Sequence, residues 1–157
     1  MSIFTTQDEH YMRLTIEASR AAVAEGNFPY GATLVSADGE VHVSRYNQVT
    51  SGDCTGHAEV VLVREVAWTL GAQALVGATI YASGEPCAMC SGAMFWAGVS
   101  HIVYAMPTRV INAVGGAPYL QPKTAEVLAG ASRAVRVDGP LLEEEATAVL
   151  REFMIKE

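Results

Sequence analysis

Two short runs, His57-Ala58-Glu59 and Pro86-Cys87-Ala88-Met89-Cys90, constrain this chain more than any other part of it. One imidazole and two thiols are zinc-type ligands, and three of them leave the fourth tetrahedral position for water. A fold that uses them must bring together segments about thirty residues apart. Glu59 is a carboxylate outside the ligand set, free to take and deliver a proton. Because zinc lowers the pKa of a bound water to about 7, the set outlines a hydrolytic metal centre.

Spacing places these residues on elements. His57 and Glu59, two apart, would point to different sides of a mid-helix segment, so they are expected at a helix start, beside an ion lying off the end of the axis. Asp53-Cys54-Thr55-Gly56 reads as the loop leading into that helix. Cys87 and Cys90 share one face of a second helix, its beginning marked by Pro86. Two helix N-termini facing one ion favour thiolates and offer free N–H groups to an oxyanion. Cys54 is expected to be a small loop residue, with His42 and His101 strand residues. A fourth protein ligand from any of these three would instead make the chain a zinc-stabilised binding module.

Charge and cysteine content narrow the function classes. Seventeen acidic against ten basic side chains give a net charge of −7, and the basic residues are scattered along the chain. Nucleic-acid binding draws on phosphate neutralisation, so this balance argues against a large RNA or DNA substrate. Two of the three cysteines are claimed by the metal, which excludes an intrachain disulfide framework and fits a reducing compartment. No apolar run approaches a membrane span, and the first residues lack a basic leader segment, so a cytoplasmic protein without a membrane anchor is expected. At 157 residues, half of them hydrophobic, residues 1–157 are expected to form one domain with its own core.

Periodicity predicts a first helix from about Gln7 to Glu25 and an antiparallel hairpin of Gly31–Val35 and Val41–Tyr46 around Asp38-Gly39. A helix from His57 to about Leu70 follows, with Trp68 assigned to the core. Next come a strand at Thr79–Ala82, a helix from Cys87 to Ala97 and a strand at His101–Tyr104. Asn112 to Tyr119 reads as a Gly- and Pro-rich stretch. Thr124–Ala129 is a short helix, Ala134–Val137 a strand, and Leu141 to about Ile155 a final amphipathic helix. This order predicts an α/β fold, a three-layer α/β/α sandwich around a mixed five-stranded sheet.

The chain resembles the cytidine deaminase superfamily along most of its length, most strongly from Phe28 to Tyr104. Phe28-Pro29-Tyr30-Gly31-Ala32, Asn47-Gln48-Val49-Thr50, His57-Ala58-Glu59-Val60 and Glu85-Pro86-Cys87-Ala88-Met89-Cys90-Ser91-Gly92-Ala93 are similar to the branch containing guanine deaminases and tRNA adenosine deaminases. Trp96 resembles the guanine-deaminase side. The resemblance implies Zn2+ held by His57, Cys87 and Cys90, and Glu59 as proton shuttle. It implies ring contacts from Asn47 and the backbone of Ala58, and a pocket walled by Phe28 and Trp96. Tyr119 is a further expected pocket residue, and Glu143-Glu144-Glu145 an expected helix cap.

By this resemblance the chain is a zinc-dependent hydrolytic deaminase. The acidic, aromatic segment of guanine deaminases is replaced here by Asn112-Ala113-Val114-Gly115-Gly116-Ala117-Pro118-Tyr119-Leu120. Without a carboxylate there, cytosine-like bases and amino-triazines such as ammeline stand beside guanine as expected substrates. The alternative is a tRNA adenosine-to-inosine deaminase, a class that usually carries a basic final helix, whereas the residues from Leu150 to Glu157 are mixed in charge. The family also implies a homodimer, with the apolar Met94-Phe95-Trp96 helix as its interface.

Overall fold

A computed structural model describes residues 2–157. The first helix, α1 (Thr6–Ala24), is opened by a capping box in which Thr5 and Asp8 each accept from the other's backbone N–H. The hairpin strands β1 (Gly31–Val35) and β2 (Val41–Arg45) follow. A short helix α2 (Gln48–Ser51), which the sequence reading did not contain, precedes α3 (Ala58–Leu70). After a 3-10 turn at Ala72–Leu75 come β3 (Thr79–Gly84), α4 (Ala88–Ala97) and β4 (His101–Met106). The remaining elements are α5 (Thr108–Gly115), α6 (Thr124–Leu128), β5 (Arg136–Asp138) and α7 (Glu143–Lys156).

The five strands form one mixed sheet in the order β2-β1-β3-β4-β5. β1 runs antiparallel to both β2 and β3, while β3, β4 and β5 are parallel. Alternation along the central strands sends successive side chains to opposite faces. Ile80 and Ile102 pack with Leu62 and Val66 of α3 and Met94 of α4. Their neighbours Tyr81 and Val103 pack with Met12 and Ile16 of α1 and Val149 and Leu150 of α7. Each such buried aliphatic side chain contributes about 1.5–3 kcal/mol. The result is the expected α/β/α sandwich, with a separate core on each side of the sheet.

Three local expectations are corrected. Trp68 is 92% exposed and not a core residue. It lies two positions beyond Val66, the last buried residue of α3, and a helix turns about 200° in two residues. The stretch beginning at Asn112 is helical as far as Gly115, forming the second half of α5, which starts directly after Pro107. Finally, β5 is Arg136–Asp138, displaced from Ala134–Val137. Its register pairs Arg136 with His101 and Asp138 with Val103, and Asp138 accepts from the His101 Nε2 at 2.7 Å.

Among the described residues no helix is long and apolar enough to cross a membrane.

Candidate metal centre and pocket

His57 and Cys87 are the N-cap residues of α3 and α4, both with extended backbone (φ −74°, ψ 149° and φ −70°, ψ 173°). The metal site therefore forms where two helices begin. Neither residue caps its helix with its own side chain, which leaves both side chains available to a ligand. A hydrogen-bonded loop delivers His57. Asp53 Oδ1 accepts from the Thr55 backbone N–H at 2.9 Å and from its hydroxyl at 2.7 Å. Arg64, one face along α3, donates to Asp53 Oδ2 and to Thr55 Oγ1, each at 2.7 Å. Gly56 carries no side chain for a steric reason: a Cβ there would lie 2.4 Å from Asn47 Oδ1.

The Cys87 Sγ, Cys90 Sγ and His57 Nδ1 atoms form a triangle with every edge 3.6 Å. Tetrahedral ligation at about 2.0–2.3 Å separates ligand atoms by about 3.5–3.8 Å, so the triangle fits one zinc ion. Among the described residues this is the one group of His, Cys, Asp and Glu able to close on a single ion. Cys54 is exposed and His42 and His101 stand outside the group, so no fourth protein ligand completes it. That favours a catalytic site over a closed structural one.

Electrostatics agree with metal binding. A hydrogen bond from the Cys90 thiol, the largest influence, holds Cys87 down to about 4, while Cys90 is pushed well above the ordinary thiol range by that same bond and by burial. A divalent cation would bind the pair with loss of the thiol protons. The Cys87 partnership also raises His57. Beside them Glu59, 6% exposed, is pushed up to about 7 by burial, against the pull of its own backbone N–H. It is a carboxylate poised to be either protonated or charged near neutrality.

Glu59 and His57 open into a cavity of about 470 Å³. One wall is a run of aromatic rings: Tyr46 lies 5.1 Å from the His57 ring, Phe28 5.4 Å from Tyr46, and Phe153 of α7 5.7 Å from Phe28. The opposite wall comes from α5 and the segment after it, including Ile111, Asn112, Pro118 and Tyr119. Phe28 and Tyr119 thus line the cavity. Trp96 does not: it is 85% exposed, on the flank of α4 turned away from Cys90, because six residues carry a helix about 240° past its starting direction. Ala58 is fully buried and is not among the lining residues. Asn47 adjoins the lining residue Gln48; its Oδ1 accepts from the Ser51 hydroxyl at 3.4 Å. Glu143 is bound to Arg109 at 3.2 Å, away from the cavity.

The wall residues Leu150, Phe153 and Met154 were missed by the sequence reading. The apolar face of the final helix carried the signal, but nothing local told which of its residues face the core and which the cavity. Glu85 was missed as well. Its Oε2 accepts from the backbone N–H of Thr108 at 2.7 Å and from its hydroxyl at 2.8 Å, a bond between the cysteine loop and the start of α5.

Four likenesses bear on this site. Residues 5–106 match the model of the cytidine and deoxycytidylate deaminase zinc-binding region. A probable cytosine deaminase of Schizosaccharomyces pombe is 35% identical, across 89% of this chain and 88% of that protein. A tRNA-specific adenosine deaminase of Agrobacterium fabrum is 32% identical, across 92% of this chain and 91% of that one. Among solved structures, a mutant of the protein NE0047 in complex with 8-azaguanine superposes with a TM-score of 0.82 and 26% identity, covering 95% of this chain and 85% of that chain.

Proposed function

The chain belongs to the cytidine and deoxycytidylate deaminase family of zinc enzymes, and on that premise we propose that it deaminates a small free amino-heterocycle: guanine, a cytosine-like base, or an amino-triazine such as ammeline. The observation that carries the proposal is the buried carboxylate of Glu59, beside the ligand triangle, in a cavity that no lysine or arginine lines. The relative named as a probable cytosine deaminase and the solved likeness holding 8-azaguanine support a purine- or pyrimidine-sized ring.

Zinc, if held by His57, Cys87 and Cys90, would supply Lewis-acid activation of water near neutral pH. Glu59 takes the proton that this water gives up and delivers it to the ring nitrogen next to the amino-bearing carbon. Once the water oxygen has added to that carbon, Glu59 takes the second proton from the new hydroxyl and gives it to the departing amino group. One water is consumed, the exocyclic C–NH2 bond is exchanged for a carbonyl, and ammonia leaves. Phe28 and Tyr46 hold the ring plane, Asn47 and the backbone N–H of Ala58 read its edges, and the α4 N-terminus offers N–H groups to the developing oxyanion. Glu59→Gln should retain zinc and lose ammonia release by about a thousandfold or more. Near-normal turnover in that variant would sink the assignment.

The likeness to a tRNA-specific adenosine deaminase supports a second reading. It requires a phosphate-binding face, and the mixed charge of α7 supplies none: Arg151 lies 3.5 Å from Glu144, and the helix opens with Glu143-Glu144-Glu145. Ammonia release from an anticodon stem-loop but from no free ring would establish it. A homodimer is the proposed assembly. Trp96 and Trp68, at 85% and 92% exposure, are the surface it would cover, and Trp96→Glu should sediment as a monomer where the unaltered chain sediments as a dimer.

A further inference from the structure

We propose that the outer half of the cavity is a subsite for an apolar substituent on the substrate ring, so that the preferred substrate is an alkyl- or aryl-bearing aminopyrimidine or aminotriazine. This rests on the deaminase reading of the inner half. The aromatic wall does not stop where a bare ring beside His57 would end. It continues from Tyr46 through Phe28 to Phe153, with ring centroids 5.4 and 5.7 Å apart. Four large apolar side chains of the lining, Phe28, Tyr119, Leu120 and Met154, stay between 38% and 63% exposed. They gather around one opening, where an apolar group would remove them from water.

Size and charge point the same way. The cavity of about 470 Å³ falls within the range of about 300–1,000 Å³ that holds drug-sized ligands, and a bare aminopyrimidine of about eight non-hydrogen atoms is far smaller. The lining's carboxylates are Glu59, committed to the reaction, and Glu85, committed to Thr108. With no lysine or arginine among the lining residues, a phosphate on the ring would enter unpaired. Nucleotides are therefore disfavoured, and an uncharged extension is accepted.

The test is ammonia release by the zinc-loaded chain on guanine and on a matched series: cytosine and ammeline, their butyl and benzyl derivatives, and cytidine 5′-monophosphate. The expected result is a KM at least about tenfold lower for the butyl and benzyl forms than for the parent ring, with no turnover of the phosphate. Phe153→Ser and the exposed Tyr119→Ser should each shrink the ratio of kcat/KM between benzyl-bearing and bare rings. Turnover of bare rings with no gain from the substituent would overturn the subsite and leave the deaminase reading intact. Failure of every ring while zinc stays bound would overturn that reading itself. If a second copy covers the opening, Tyr119→Ser will dissociate a dimer without changing the ratio, and the subsite is wrong.

Discussion

Glu85 and Thr108 join the two halves of the site: one carboxylate oxygen accepts both the backbone N–H and the hydroxyl of Thr108, at 2.7 and 2.8 Å. Glu85 directly precedes the Pro86-Cys87 turn, and Thr108 is the first residue of α5. A donor that the helix start leaves unpaired is thereby satisfied by the loop that carries the metal ligands. The position of the metal and that of the far pocket wall are set by the same bond.

Glu85→Ala should cost about 1–2 kcal/mol of stability, the usual value of a lost cap. Its larger effect should be on substrate binding, with KM rising about tenfold while zinc stoichiometry stays at one per chain. Parallel metal analysis and steady-state kinetics check this. Loss of zinc with KM unchanged would place the bond in metal retention alone.

Metal removal should both silence and soften the protein. The imidazole at the start of α3 and the two thiols at the start of α4 lie 3.6 Å from one another, so chelation of the metal they hold should abolish ammonia release and lower the Tm. Restoring zinc to a hundredfold excess over its Kd should return about 2.7 kcal/mol of stability together with activity. Cys90→Ser should show the chelated Tm and fail to recover on zinc addition.

The His57 loop has its own acid signature. The Thr55 hydroxyl and backbone N–H, with Arg64 behind them, hold Asp53 down to about 2. Its folded pKa lies below the unfolded value of about 3.9. The contribution is therefore present in full above that value and is lost as pH falls through about 2. The pair is solvent-screened, so the effect is small. The Tm of Asp53→Asn should lie slightly below that of the unaltered chain at pH 6 and converge with it near pH 2, read by calorimetry across that range.

Gly31→Ala should destabilise the first layer of the sandwich. An added Cβ would lie 2.4 Å from the Thr15 carbonyl oxygen and 2.7 Å from the Ala18 Cβ, both fixed parts of α1. Helix and strand must separate, at about 1–3 kcal/mol. A lower urea midpoint with an unchanged slope would report it.

What could be read from the amino acids divides along physical lines. The ligand triangle was legible because metal geometry depends on residue type and short spacing, and the structure makes His57 and Cys87 the N-caps of their helices. The layer order was legible because strand and helix periods differ. Trp68 and Trp96 were not: the first reads as core and the second as pocket wall, and only the direction of each helix face shows that both point outward. Helix α5 was obscured by Gly115-Gly116-Ala117-Pro118, whose turn-forming character begins only where the helix ends. The contribution of Phe153 depends on where α7 docks, a long-range outcome that no local pattern encodes.

The site is assembled from two stretches of unlike origin. The metal ligands, Glu59 and the loops that orient them come from residues 47–90, while the far wall and most of the opening come from the chain beyond Pro107. The parallel strands β3, β4 and β5 make this division possible, since each return crossing brings the later chain back to the same end of the sheet. A lineage carrying this fold can exchange its tail and acquire a new diet without disturbing its chemistry.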